Sequence, residues 1–341
     1  MLDKPIKFLK DWMLPIAMIT GAAVYLVLHF VPSFSESGYM ALSRRLQPML
    51  ISIMLFLQLN VVAPSDLHFH KWHFVLIIVQ ALLFAGFALA ATRVAAEGGR
   101  ILLECAMLCF ICPTAAAAGV ITSKIGGSLP GVMTYTVLSD MLASLLIPLM
   151  IPMVHPDTDL SFISSFWAII KRVFSILVLP CVLAWFIRYV FPALQRFLSR
   201  YVGWAFYVWS LGLVLAISLA TGALVTSGIG LLLFIGIALI SLLCCVFQFW
   251  LGRRVSARYG RSESITAGQA LGQKNTAFAI WMAYTYLNPL SSVGPGCYIL
   301  WQNIVNSVEI WQADSMPSGT IWSILTSSIL AGNKIIDYLC E

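Results

Sequence analysis

GQALGQKNTAFAIWMAYTY, residues 268–286, places a lysine at the midpoint of a segment otherwise apolar enough to cross a membrane. A fixed charge near the bilayer centre costs at least ~2.5–3.5 kcal/mol, so such residues face a cavity or a partner and carry function. Lys274 sits among Gly272, Gln273, Asn275 and Thr276, a cluster that favours local unwinding over a regular helix. An earlier apolar stretch, 100–125, is interrupted near its own centre by Cys112-Pro113-Thr114 and the small run 115–119. Interrupted spans at matching positions in two halves of a chain point to a transporter built from inverted repeats, with its substrate where the breaks meet.

Composition supports a membrane setting. Of 341 residues, 60% are hydrophobic and only 10% charged, with a mean hydropathy of +0.91. That is too apolar for a soluble fold and leaves many runs long enough to span. The net charge of +6 resides mostly in short connections between apolar runs, where orientation bias accounts for it and nucleic acid binding does not. The eight cysteines fall almost wholly inside apolar runs, without metal spacing or a secreted disulfide framework, and read as buried small hydrophobes. The N-terminus has the basic start of a signal peptide, but its apolar run of about 20 residues reads as a retained first span.

Read against the ~20 residues a span needs, the chain gives ten candidates, near 12–32, 46–63, 72–93, 100–125, 129–152, 167–191, 201–223, 227–251, 264–286 and 294–312. Ten divides as five plus five, and an odd number per half makes the second half enter the membrane the other way up. The predicted fold is all-α and polytopic: a first repeat over 1–155, a second over 156–313, and a tail, 314–341, read as a surface helix or a loosely packed end. The interrupted spans are then the fourth of each half. With the N-terminus cytoplasmic, thirteen Lys and Arg residues lie inside and six outside, which predicts an inner-membrane protein with both termini in the cytoplasm.

The candidate chemistry follows from depth. Asp140 is the only carboxylate whose predicted depth matches that of Lys274, and Thr136 shares its helix face. One buried charge alone is expensive, so the two are expected to be partners or near neighbours, either functional or as an ion pair that fixes helix packing. Pro113 frees backbone groups that a polar cavity satisfies, and the half-helices beginning after it and near Asn275 or Thr276 point partly positive ends at mid-depth. An organic anion suits such a centre. Glu309 follows Gln302, Asn303 and Asn306 in a polar stripe that either faces the same cavity or joins helices to one another. His68, His70 and His73 read as a solvated loop, since no Cys or carboxylate set completes a metal site. No nucleophile–base pattern, phosphate-cradling loop or heme motif marks an enzyme or a cofactor.

The fragments CPTAAAAGVIT (112–122), GVMTYTVLSDMLASLLIPLMIP (131–152), GQALGQKNTAFA (268–279) and GPGCYILWQNIVNSVEIW (294–311) resemble the bile acid:sodium symporter family, as does LQPMLISIMLFLQLNVVAPSDLHF (46–69). The resemblance implies a panel domain of spans 1, 2, 6 and 7 and a core domain of the others, with the fourth and ninth helices unwound and crossing. It implies alternating-access transport of organic anions such as bile acids, steroid sulfates or smaller carboxylates, usually with sodium. The family pattern CPGGTASN has its Ser and Asn at Ala118 and Gly119 here, and a Ser–Thr pair of the next span at Val132 and Thr136. The pattern Glu-x-Gly-x-Gln-Asn places Ala270 at the glutamate and Lys274 at the glutamine; one inserted residue would keep Gln273 as the glutamine. These departures remove oxygen ligands and add a positive charge, so Lys274 is read as standing where a sodium would, partnered by Asp140 directly or through water. The candidate substrate site is Thr114, Ala118, Gly119, Thr136, Gln273, Asn275, Thr276 and Asn303, with Lys274, Asp140 and Gln269 as ion-coupling or sodium-replacing groups. The expected partners are a small organic anion, the bilayer and protons. Rival readings are a conventional sodium symporter, a non-transporting anion sensor and, more distantly, an arsenite exporter using Cys112.

Overall fold

A computed structural model describes residues 13–31, 36–115, 117–156 and 161–315. Among them every regular element is helical: α1 Met13–Phe30, α2 Glu36–Leu59, α3 Lys71–Arg93, α4 Glu97–Ile111, α5 Ala118–Lys124, α6 Leu129–Val154, α7 Phe162–Val190, α8 Pro192–Ser199, α9 Trp204–Ser227, α10 Leu231–Ser256, α11 Arg261–Gly272, α12 Thr276–Tyr286 and α13 Val293–Ser315. Six of the helices are long and apolar enough to cross a membrane uninterrupted, at α2, α3, α6, α7, α9 and α10 with the short turn that follows α10, and a shorter apolar helix lies at Ile16–Phe30. The stretches predicted to be broken are helix pairs, α4 with α5 and α11 with α12. The tail from 316 onward lies outside the described residues.

Local signals set the ends. Ser128 caps α6 by accepting from the Gly131 amide, Ser161 caps α7 through Ser164, and Gly228, at φ 61°, closes α9 in the left-handed region. Two expectations are corrected. The second helix starts at Glu36, not near 46, because Glu36 to Arg45 is polar enough to escape a hydropathy reading while forming a helix readily. The connection between the sixth and seventh runs contains α8, too short and too polar to register as a span.

Two groups of helices pack together. α9 lies on α1 and α2, and α2 on α7; the second group joins α3 to α4 and α6, and α10 to α4, α11 and α13. They meet along a seam where α6 packs on α7 and α12 on α2 and α9. The largest buried cluster runs through this second group and over the seam, from Phe84, Met107 and Ile111 to Ile147, Leu177, Phe249 and Trp281. Outward-facing Leu82, Leu145, Ile163, Leu231 and Leu232 stay exposed, as side chains facing lipid would be. His73 belongs to no solvated loop. It is buried in the first turn of α3, stacked on Trp72, with Nε2 3.0 Å from the Gly131 carbonyl. Among the described residues no trio of metal-capable side chains converges.

Candidate functional site

The two breaks meet and pair through their backbones. The Ala115 amide donates to the Gln273 carbonyl at 2.9 Å and the Asn275 amide to the Pro113 carbonyl at 2.8 Å, an isolated antiparallel bridge centred on Thr114 and Lys274. Each interrupted helix thereby supplies partners for backbone groups the other leaves open. Proline at 113 contributes a carbonyl and needs no acceptor of its own. Side chains reinforce the crossing. Thr114 Oγ1 donates to the Ala270 carbonyl (2.7 Å), its amide donates to Ser139 Oγ (3.2 Å), Cys112 Sγ donates to the Asn275 carbonyl (2.7 Å), and Asn275 Oδ1 caps α12 at the Phe278 amide (3.3 Å).

Lys274 is 1% exposed at this crossing. Its ammonium donates to the Phe110 carbonyl at 3.4 Å, and its amide donates to Gln302 Oε1 at 2.9 Å. Phe110 lies in the last turn of α4, where carbonyls lack intrahelical partners and carry the partly negative end of the helix. The direct pairing with Asp140 is therefore corrected: the cation rests on a helix C-terminus. Both Asp140 carboxyl oxygens are buried without a hydrogen-bond partner among the described residues. Cys112 lies near both Lys274 and Asp140, and Cys181, on α7, lies near Asp140. Depth along a helix was legible in the sequence, whereas the direction in which each side chain leaves its axis was not.

The polar stripe of α13 joins helices. Glu309 holds Arg253 Nη2 at 2.6 Å and accepts from Gln269 Nε2 at 2.6 Å. Asn306 Oδ1 accepts from Gln273 Nε2 at 3.0 Å and from Gln269 Nε2 at 3.3 Å, and Gln273 also donates to Gln269 Oε1. The same stripe also faces a cavity of about 680 Å³. It is lined by the amides of Gln273, Gln302, Asn303 and Asn306 and by the apolar side chains of Val120, Ile121, Leu129, Met133 and Trp209. The cavity is also lined by Val61, Val62, Val202 and Gly203 and by Lys124 at the end of α5.

The predicted residues divide. Gly119, Gln273 and Asn303 line the cavity. Thr114, Ala118, Thr136, Asn275, Thr276 and Gln269 are buried in the packing around it, Thr136 Oγ1 bonding back to the Val132 carbonyl. A Cβ on Gly119 would meet Met133 Cε at 2.6 Å, so a side chain there would reshape the wall. Ser139 and Tyr298, which donates to the Gly272 carbonyl (2.7 Å), hold the crossing but were not singled out, since hydroxyls inside apolar runs carry no distinguishing spacing.

The family model described as Sodium Bile acid symporter family matches residues 46–227, more than half of the chain. The chain belongs to the sodium bile acid symporter family. It is thereby a multi-pass membrane protein of a transporter family. The match spans the first break and the whole of α6, so family membership rests on one side of the crossing and the seam. A search of curated proteins returns no match.

Proposed function

We propose that the chain is a secondary-active transporter of a small or amphipathic organic anion, working by alternating access, in which the Lys274 ammonium stands where related carriers hold a sodium ion. One observation carries this: a fully buried lysine, at the crossing of two broken helices, directs its ammonium at the carbonyl end of α4. A carbonyl end is the kind of oxygen a sodium ion would seek, and a tethered cation already occupies it. Ala118, Gly119 and Ala270 offer no side-chain oxygen at the positions where the family pattern has Ser, Asn and Glu. The residues present do not fit a sodium ion, so transport runs on protons or without a coupling cation.

The cavity suits an amphipathic anion. Its amide side chains supply hydrogen bonds and its apolar lining takes a hydrocarbon body, with Gly119 and Val120 of the first turn of α5 among the lining residues. In this reading the ten helical segments span an inner membrane as two inverted five-helix repeats, 1–155 and 156–313, with both termini cytoplasmic. The cavity is then open to the cytoplasm, because Lys124 and the turns at 61–62 and 202–203 lie on the side richer in Lys and Arg.

The test is uptake of a panel of organic anions, bile acids and short carboxylates included, into proteoliposomes with and without sodium and proton gradients, comparing wild type with Lys274→Met. Wild-type uptake is expected to ignore sodium, and the variant to lose most uptake or change its ion dependence. Unchanged transport with unchanged ion dependence in the variant overturns the role of Lys274. Sodium-driven uptake by the wild type would instead favour the conventional symporter, the second reading, which the family match itself supports.

A further inference from the structure

Between Asp159 and Glu263 the sequence holds no Asp or Glu, yet it carries Arg188, Arg196 and Arg200 close together. Helix α8 lies within that stretch, and none of its side chains is buried. At 100° per residue, Leu194, Phe197, Leu198 and Tyr201 share one arc, while Gln195, Arg196, Ser199 and Arg200 share the opposite one. The apolar arc stays open: Leu194 is 43% and Phe197 51% exposed. It continues into exposed Phe186, Phe191 and Trp204 on either side, the aromatic composition of a bilayer boundary. Arg196 and Arg200 are exposed, one turn apart, and form no ion pair among the described residues.

We propose that α8 lies flat in the membrane interface and that Arg196 and Arg200 bind the phosphate of an anionic phospholipid, with Leu194 and Phe197 among its acyl chains. A short amphipathic helix with a basic polar face lies in the headgroup layer, and each basic residue there contributes about fivefold to affinity for an anionic surface. The lipid sits beside the cavity described above. Gln195 Nε2 and Arg188 Nη1 donate to the Asn60 carbonyl at 2.9 and 3.2 Å, and Trp185 Nε1 donates to the Val62 carbonyl at 3.1 Å. Val61 and Val62 on one side, and Val202 and Gly203 just after α8 on the other, form the rim. Anchoring α8 to anionic lipid therefore fixes the position of the rim, and, resting on the transport reading, sets how readily the cavity admits its anion.

Native mass spectrometry of the full chain, with phosphatidylglycerol or phosphatidylcholine added, reads the lipid site without any flux. Wild type is expected to retain phosphatidylglycerol over phosphatidylcholine, with Arg196→Gln/Arg200→Gln weakening retention about 30-fold and Arg196→Lys/Arg200→Lys much less. Equal retention of both lipids, an unchanged glutamine double variant, or displacement of phosphatidylglycerol by equimolar inorganic phosphate would overturn the proposal. Uptake into vesicles with and without phosphatidylglycerol is a separate arm. Lipid retention without any uptake would leave the site standing and refute the transport reading alone.

Discussion

Lys274 announces itself in the sequence, but its partner does not. A carboxylate at matching depth was the only side chain available to reasoning from composition, whereas the folded chain uses a backbone carbonyl at a helix end, a group every residue carries. The network on α13 is easier to test. Glu309 joins Arg253 and Gln269 in a nearly dry setting, so Glu309→Ala should lower stability by about 3 kcal/mol, the cost of breaking a buried pair by removing one member. Thermal unfolding in detergent measures it, and Glu309→Gln should recover part of the loss through the Gln269 bond. Gly252 makes the sharper steric case. A Cβ there would stand 2.2 Å from the Ala267 carbonyl oxygen, a backbone atom that cannot swing aside. Gly252→Ala should therefore force α10 from α11 and cost roughly 1–3 kcal/mol or more in the same assay.

At the scale of elements, the breaks were legible because their causes are local: Pro113, Gly272 and Asn275 each disfavour an uninterrupted helix. Their mutual pairing was not legible, since a bridge between Thr114 and Lys274 depends on two segments far apart in the chain. The cap at Asn275 is the most exposed to test. Its Oδ1 is the acceptor for the Phe278 amide, so Asn275→Ala should destabilise the protein by about 1 kcal/mol, while Asn275→Ser should preserve most of the stability. Equal losses for the two would mean that the side chain packs and does not cap. α8 was missed for a different reason: eight residues of mixed polarity satisfy neither a spanning template nor a turn template, and only the angular separation of Leu194 and Phe197 from Arg196 and Arg200 marks them.

At the scale of the molecule, hydropathy located the apolar runs, because lipid imposes a length and a polarity on each. It could not locate the cavity, which depends on how α5, α6, α9 and α13 are set against one another. Burial also predicts a chemical property. All seven described cysteines are buried thiols without a disulfide, so a membrane-impermeant maleimide should label intact protein at Cys340 at most, the one cysteine outside the described residues. Mass spectrometry of labelled protein reads this directly, and adducts on Cys112 or Cys181 would mean that water reaches the crossing or the seam. With that background low, a cysteine introduced at Gly203 should label from the side carrying Lys124 and from that side only.

The crossed interruptions have one more implication. Since each lends hydrogen bonds to the other, α4, α5, α11 and α12 cannot be displaced singly without stranding amides in an oil-like interior. In the transport reading proposed above, the rearrangement carries this quartet as one block past α2 and α9, against which α12 packs. Paired spin labels on α4 and α12 should accordingly report one fixed separation under all conditions, while labels on α12 and α9 should report two.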